Sequence, residues 1–237
     1  MFEPRRRLVV LFGGRSAEHD VSCTSARHVL EAIDREKYAV EAVGITRDGA
    51  WVRADDPLAA IEAGAEAVPE MLTAAGPGVD PMSVLAGHLD EAPVVFPVLH
   101  GPQGEDGTMQ GLLDLLDVPY VGTGVLGSAL CMDKIKAKEM LDSHSIPQGR
   151  WHGLHADDRS EALVDQLIAE LGVPLFVKPA NMGSSVGVSK AEDAQDLTRA
   201  LALAASYDQW IVVEQTVVGR EIECSVLGNR DPVVSVA

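Results

Sequence analysis

The feature that most constrains the fold is an uninterrupted apolar run at residues 8–12 (LVVLF), which ends at Gly13 and Gly14. A strand that is covered on both faces, as in a parallel sheet, has no polar face and shows this pattern. Apolar residues then recur at helical spacing over residues 23–33, and a second apolar run covers residues 39–45. This order of strand, loop, helix and strand predicts an open α/β sheet.

The rest of the chain repeats this alternation of strands and helices. Residues 93–99 predict another buried strand, followed by an apolar helical stripe over residues 109–116. Further strands are predicted at residues 175–178 and 210–214, and Ile222, Cys224 and Val226 alternate with polar residues as in a half-buried strand. The Ile146-Pro147 step ends a helix that begins at Lys134 behind the capping residue Asp133, so a subdomain boundary is expected between residues 129 and 150.

Composition excludes several classes of protein. The net charge is −17, from 36 acidic and 19 basic residues, which argues against sequence-independent binding of nucleic acid. No apolar run reaches the length of a membrane span or of a signal sequence. Cys23, Cys131 and Cys224 lie far apart without metal-site spacing, so we expect buried thiols in a reducing cytoplasm.

Two strand-end loops carry candidate binding residues for a small substrate. In the first loop, Glu18 stands just ahead of a helix, where it could hold a substrate ammonium or only favour the positive helix end. The second loop, residues 100–108 (HGPQGEDGT), is too rich in glycine and acid for a plain connection. There, Asp106 or Thr108 could simply cap the next helix. A lone histidine such as His100 is more often structural than catalytic.

Two later segments suit a nucleotide. Lys178 ends an apolar strand and precedes the loop GSSVG at residues 183–187, whose backbone N–H groups and hydroxyls could surround phosphate oxygens. The loop is not a Walker A motif, because the lysine comes before the glycines; a serine-rich hairpin turn is the alternative. Glu214 and Glu221 could bind adenine and ribose hydroxyls, or be solvated surface acids.

One motif is treated as a chance match. Residues 122–127 fit GxGxxG but do not open the first strand–helix–strand unit, so helix packing explains them better than a dinucleotide site of a dehydrogenase. His152 and His155 lack the partners of a metal site.

Taken in order, the motifs GGxSAEHDVS, HGxxGEDGTxQG, MDK, VKPAxxGSSVGVSK and Glu-x6-Glu resemble those of D-alanine–D-alanine ligases of the ATP-grasp superfamily. The resemblance runs from about residue 8 to the last residue. It implies an α/β fold in three parts: an N-terminal, Rossmann-like parallel-sheet domain (residues 1–128), a central ATP-grasp α+β subdomain (129–220) and the incomplete start of a C-terminal lobe (221–237).

The resemblance also implies roles for individual residues. Glu18 would orient the ammonium of the first D-alanine, with Ser184 in the same hydrogen-bond network, and His100 would lie near that substrate's carboxylate. The residues that would contact ATP are Lys134, Lys178, Ser184 and Ser185 at the phosphates, Glu214 with the backbone of Gln215 and Val217 at adenine, and Glu221 at the ribose.

The implied reaction joins two D-alanines through an acyl phosphate, for peptidoglycan precursor synthesis, in a cytoplasmic homodimer that uses ATP and Mg²⁺ or Mn²⁺. The family's metal ligands are expected beyond residue 237, so we expect this chain alone not to release phosphate from ATP. D-alanyl-D-lactate or D-alanyl-D-serine synthesis remains an alternative, which Val186 argues against because those ligases often carry a bulkier residue there. A non-catalytic nucleotide-binding module is a further alternative.

Overall fold

The computed structural model describes residues 5–63, 69–85 and 92–236. Its N-terminal sheet contains four strands, β1 (Arg6–Gly13), β2 (Tyr38–Ile45), β3 (Trp51–Arg53) and β4 (Val94–Pro97), in the order β3-β2-β1-β4. Strand β1 pairs in parallel with β2 and β4, which confirms the predicted parallel sheet. The short edge strand β3, which the sequence analysis did not predict, runs antiparallel to β2.

Strand β1 is central, and its side chains alternate between two apolar layers. Leu8, Val10 and Phe12 pack with helix α1 (His19–Ala32), while Val9 and Leu11 pack on the opposite face with helix α4 (Thr108–Leu115). This burial on both faces is the physical origin of the continuous apolar run. Two further helices in this part are α2 (Asp55–Ala63) and α3 (Pro81–Leu85).

Two helices, α5 (Val125–Met132) and α6 (Lys134–Ser143), follow the first sheet. Asp133 caps α6 as predicted, because its carboxylate accepts hydrogen bonds from the backbone N–H groups of Ile135 and Lys136. The proposed division between residues 128 and 129 falls inside α5, and the domain limits stay predictions.

A second sheet contains β5 (Trp151–His155), β6 (Leu175–Pro179), β7 (Ser189–Ala191) and β8 (Trp210–Gln215), in the order β5-β8-β6-β7, with every pairing antiparallel. Helices α7 (Glu161–Leu171) and α8 (Ala194–Ala205) cover one face with an apolar core. On the other face, Val212 packs with Ile135 of α6. Helix α6 therefore lies over the face that also carries Lys178 and Glu214.

The prediction of a half-buried strand around Ile222 is wrong. Only a two-stranded ribbon forms here, from β9 (Val226–Leu227) and β10 (Val233–Val234), and its side chains are exposed. Alternation in sequence leads to burial only where another layer covers one face, and none of the described residues covers Ile222, which is 62% exposed.

Two other sequence expectations can be compared with the described residues. Cys23 is buried, and burial raises the pKa of its thiol to about 11, whereas Cys131 and Cys224 are exposed, so the expectation of buried thiols fails for both. Within the described ranges, no helix is long and apolar enough to cross a membrane.

Helix α8 offers a test of the second core. Leu201 is 2% exposed and Leu203, on the same helix, is 44% exposed. Leu201→Ala should lower the free energy of unfolding by about 2–5 kcal/mol, because it leaves a cavity in the core. Leu203→Ala should cost less than about 1 kcal/mol. Urea unfolding measures both, and equal losses would contradict the packing described here.

Candidate active site

Three loops meet around the carboxylate of Glu18, which is only 3% exposed. They are the β1–α1 loop that holds Glu18, the β4–α4 loop that begins at His100, and the β6–β7 loop that holds Ser184. The Ser184 hydroxyl donates a short hydrogen bond to Glu18 Oε1. Among the described residues, Glu18 Oε2 has no hydrogen-bond partner. A buried carboxylate oxygen of this kind is ready to accept from a cationic donor.

Two glycines make room for this carboxylate. A Cβ on Gly183 would lie 2.7 Å from Glu18 Oε1, and one on Gly101 would collide with Oε2. Gly101 also has a φ of +76°, which favours glycine. Glu18 is the N-cap residue of α1, yet its side chain makes no capping hydrogen bond. The carboxylate therefore points into the junction of the loops and does not cap the helix.

His100 is held by two partners. Its Nε2 lies 3.0 Å from the hydroxyl of Ser25 on α1, and its Nδ1 lies 3.7 Å from Glu105 Oε1. The Glu105 carboxylate raises the pKa of His100 above its usual value, although burial acts against it. Glu105 itself has a lowered pKa because of His100, and its other oxygen accepts from the backbone N–H of Gly101 at 2.7 Å. These contacts favour an imidazolium beside the Glu18 site.

A second charged cluster lies where α6 faces the second sheet. Lys178 Nζ lies 2.5 Å from Glu214 Oε2, and Lys138 Nζ lies 3.0 Å from Oε1 of the same carboxylate. Lys134 Nζ donates to the backbone carbonyl of Met182 in the β6–β7 loop. Burial lowers the pKa of Lys134, and the nearby charge of Lys178 lowers it further. Two neighbouring ammonium groups that repel each other form a favourable site for a polyanion.

The β6–β7 loop is a tight turn in an unusual backbone conformation. Ser184 and Ser185 have φ values of 45° and 58°, and the N–H of Val186 donates to the carbonyl of Gly183 at 2.9 Å. Two successive residues with positive φ are costly for side chains other than glycine, and such strain collects at ligand sites. Residues 183–186 thus form a turn within the longer loop between β6 and β7, a geometry that leaves both the phosphate loop and the serine-rich turn open as interpretations.

A cavity of about 680 Å³ lies next to both clusters; its lining includes His100, Lys134, Met182 and Gly183, but neither Glu18 nor Lys178. It is large enough for a small molecule.

Comparison with known proteins identifies the family of the chain. Residues 7–123 match the family described as D-ala D-ala ligase N-terminus, and residues 140–237 match D-ala D-ala ligase C-terminus. The D-alanine–D-alanine ligase of Ruminiclostridium cellulolyticum is 46% identical over 249 residues, which cover 98% of this chain and 66% of the relative. The D-alanine–D-alanine ligase of Thermoanaerobacter sp. is 44% identical over 241 residues, which cover 98% of this chain and 67% of the relative.

The chain belongs to the D-alanine–D-alanine ligase family. It spans about two thirds of the length of the curated relatives that it matches. The D-alanine–D-alanine ligase of Coxiella burnetii superposes with a TM-score of 0.81 at 35% identity, covering 98% of this chain and 69% of that one. VanG D-Ala:D-Ser ligase from Enterococcus faecalis superposes with a TM-score of 0.77 at 35% identity, covering 98% of this chain and 68% of that one. The predicted α/β fold is confirmed.

The site residues expected from the family resemblance fall into three groups in this structure. Glu18, Ser184 and His100 form the first cluster, at the junction of the three loops. Lys134, Lys178 and Glu214 form the second cluster, between α6 and the second sheet. The remaining residues lie at the rim: Ser185 and Glu221 are exposed, Val217 is 73% exposed, and the backbone N–H of Gln215 already donates to Arg150. Among the described residues, no side-chain hydrogen bond or ion pair joins these four residues to either cluster.

Three residues that contact the two clusters were not singled out from sequence: Ser25, Glu105 and Lys138. Ser25 and Glu105 matter only because they contact His100, a relation that depends on how α1 lies beside β4. Lys138 stands four residues after Lys134, so a shared face of α6 was the available signal.

Glu105→Gln tests the charge of His100. The amide oxygen can still accept from Gly101, but the negative charge is lost, so the pKa of His100 should fall toward its ordinary value. A raised pKa in the folded protein means that protonation stabilises the fold, and this contribution is lost as the pH rises through the raised pKa. NMR titration of His100 and urea unfolding on either side of that pKa measure both effects.

The matched control is Asp106→Asn. Asp106 accepts from the backbone N–H groups of Gln103 and Thr108, and no contact with His100 is found among the described residues. The pKa of His100 should not change in this variant. A fall of the same size in both variants would contradict a specific pairing of His100 with Glu105.

Proposed function

We propose that this chain supplies the amino-acid and nucleotide sites of an ATP-dependent ligase that makes D-alanyl-D-alanine for peptidoglycan precursors. The reaction begins when the carboxylate of the first D-alanine attacks the γ-phosphorus of ATP, giving an acyl phosphate and ADP. The amine of a second D-alanine then attacks the acyl carbon, and phosphate leaves as the peptide bond forms. The protein contributes mainly position and charge.

The observation that carries the proposal is the unpartnered oxygen of Glu18. A buried, hydrogen-bonded carboxylate with one oxygen free among the described residues suits an ammonium group. The glycines at positions 101 and 183 leave room for the carboxylate itself, which a side chain at either position would displace. The imidazolium form of His100, favoured by Glu105, supplies a positive charge for the carboxylate of the same amino acid. These groups complement both ends of a zwitterionic D-alanine.

The second cluster supports the nucleotide site. Lys134 and Lys178 are close enough for mutual repulsion, which the phosphates of ATP would relieve. We assign Ser184 and Ser185 to the phosphate side as well, Glu214 with the backbone of Gln215 and Val217 to adenine, and Glu221 to the ribose. Ser184 then belongs to both sites, since its hydroxyl already contacts Glu18.

A divalent cation, Mg²⁺ or Mn²⁺, would neutralise the transferred phosphoryl group. Over residues 5–63, 69–85 and 92–236, no group of three or more His, Cys, Asp or Glu side chains could hold a metal ion. We therefore assign no residue of this chain as a metal ligand.

The second substrate has two candidates. D-alanine is the substrate named for the relatives with the highest identities quoted above, whereas a structural neighbour at 35% identity is named for D-Ala:D-Ser. Val186, a small residue within the loop at residues 183–187, supports D-alanine. Offering D-alanine alone, or with D-serine or D-lactate, and identifying the product by mass spectrometry distinguishes the specificities in the active enzyme.

We also propose that the ligase is a cytoplasmic homodimer, as the family resemblance implies. Leu115, at the end of α4, and Leu126, on α5, are 88% and 80% exposed, an apolar surface that supports self-association. Light scattering behind size-exclusion chromatography should give twice the mass of the chain. A single-chain mass at micromolar concentration would contradict the dimer.

Glu18→Gln tests the amino-acid site. The substitution keeps the shape and the hydrogen bond to Ser184 but removes the charge that binds the ammonium. The Kd for D-alanine, measured by calorimetry with ADP present, should rise by about 10–100-fold, the range for a charge-assisted hydrogen bond.

Asp20→Asn is the control, because Asp20 lies in the first turn of the same helix and forms an exposed ion pair with Arg47. Its Kd for D-alanine should stay within about threefold of wild type. An unchanged Kd in Glu18→Gln would overturn the assignment of Glu18.

A further inference from the structure

The carboxylate of Glu214 has two cationic partners, one on each oxygen. Lys178 on β6 binds Oε2 and Lys138 on α6 binds Oε1, and the carboxylate is only 17% exposed. Both lysines lower the pKa of Glu214, although its burial acts to raise it. Glu214 is therefore a partly buried anion between two cations.

Lys138 is held in place by several contacts other than the ion pair. Its ammonium lies 5.9 Å from the ring centroid of Trp151, within reach of a cation–π interaction. It also donates to Gln148 Oε1 at 3.4 Å, and its side chain is 16% exposed. Trp151 pairs directly with Glu214 across strands β5 and β8. The ammonium thus has a fixed position over the carboxylate, unlike a solvated surface lysine.

The charges explain why two lysines are needed. Lys178 and Glu214 alone would form a neutral ion pair, and a neutral pair has little attraction for phosphate. With Lys138 as a second partner, the three groups carry one net positive charge. An ammonium has three N–H donors, so Lys178 can keep its contact with Glu214 and still donate to another anion.

We propose that Lys138 is a positioning residue of the nucleotide site, which balances the charge of Glu214 so that Lys178 remains available to the polyphosphate of ATP. This inference rests on the proposed function in one respect, the placement of the ATP phosphates at Lys134 and Lys178. Lys138 itself need not touch the nucleotide.

The first experiment compares Lys138→Met with Lys136→Met by calorimetry, using ATP and adenosine as ligands. Lys136 lies on the same helix but pairs with exposed Glu139. Lys136→Met therefore removes the same charge as Lys138→Met, but from another face of the helix. Lys138→Met should raise the Kd for ATP by about tenfold and that for adenosine by less than about threefold. Lys136→Met should change neither Kd by more than about threefold.

The second experiment tests whether Lys138 acts through Glu214. In a Glu214→Gln background the carboxylate charge is absent, so Lys138→Met should have little further effect on ATP binding. Lys138→Arg, which keeps the charge, should bind ATP about as well as wild type.

Each outcome has a distinct meaning. Two results would overturn the role of Lys138 and leave the proposed function standing. The first is an equal Kd for ATP in Lys138→Met and Lys136→Met, and the second is an equal loss of affinity for ATP and for adenosine in Lys138→Met. A wild-type chain that binds no ATP would overturn the proposed function and this inference with it.

Folding of the variants also discriminates. If Lys138→Met fails to fold and the double variant Lys138→Met/Glu214→Gln folds, the role in charge balance is supported. The uncompensated Glu214 carboxylate is then the cause of the misfolding. Failure of both to fold overturns it in favour of a packing role.

Discussion

The hydrogen bond from Ser184 to Glu18 joins residues 166 positions apart and connects the parallel N-terminal sheet to the antiparallel sheet. Desolvating a carboxylate is costly unless its oxygens are satisfied. Here one oxygen is satisfied by a neighbouring loop, and the other is buried with no hydrogen-bond partner among the described residues. The closeness of Gly101 and Gly183, and the strained turn at Ser184, follow from bringing three loops to one anion.

The carboxylates of Glu18 and Glu214 differ in a way that suits different ligands. Glu18 has a neutral hydroxyl partner and keeps its negative charge for an incoming cation. Glu214 has two ammonium partners and is more than neutralised by them. The surroundings of Glu18 are therefore negative, and those of Lys138 and Lys178 are positive. A small zwitterion and a polyphosphate can bind side by side in such a field without competing for the same groups.

Much of this arrangement could be predicted from sequence, because its signals are local. The apolar run in β1 reports burial on both faces, the cap at Asp133 depends on adjacent residues, and the glycine-rich loops follow strand ends. Contacts between distant elements gave no such signal. The bond between Ser25 and His100 depends on how α1 lies beside β4, and the alternation around Ile222 was misleading because burial requires a covering layer.

The position of Trp151 gives the site an optical consequence. The chain has three tryptophans. Trp51 lies on β3 of the other sheet, and Trp210 stands at the start of β8 beside His155. Among the described residues, Trp151 alone has an ammonium group near its ring, that of Lys138. Trp151 also pairs with Glu214 across the sheet, and its indole N–H donates to Asp142. Indole emission shifts with the local electric field, so the colour of Trp151 fluorescence should follow the charge state around Glu214 without an added dye.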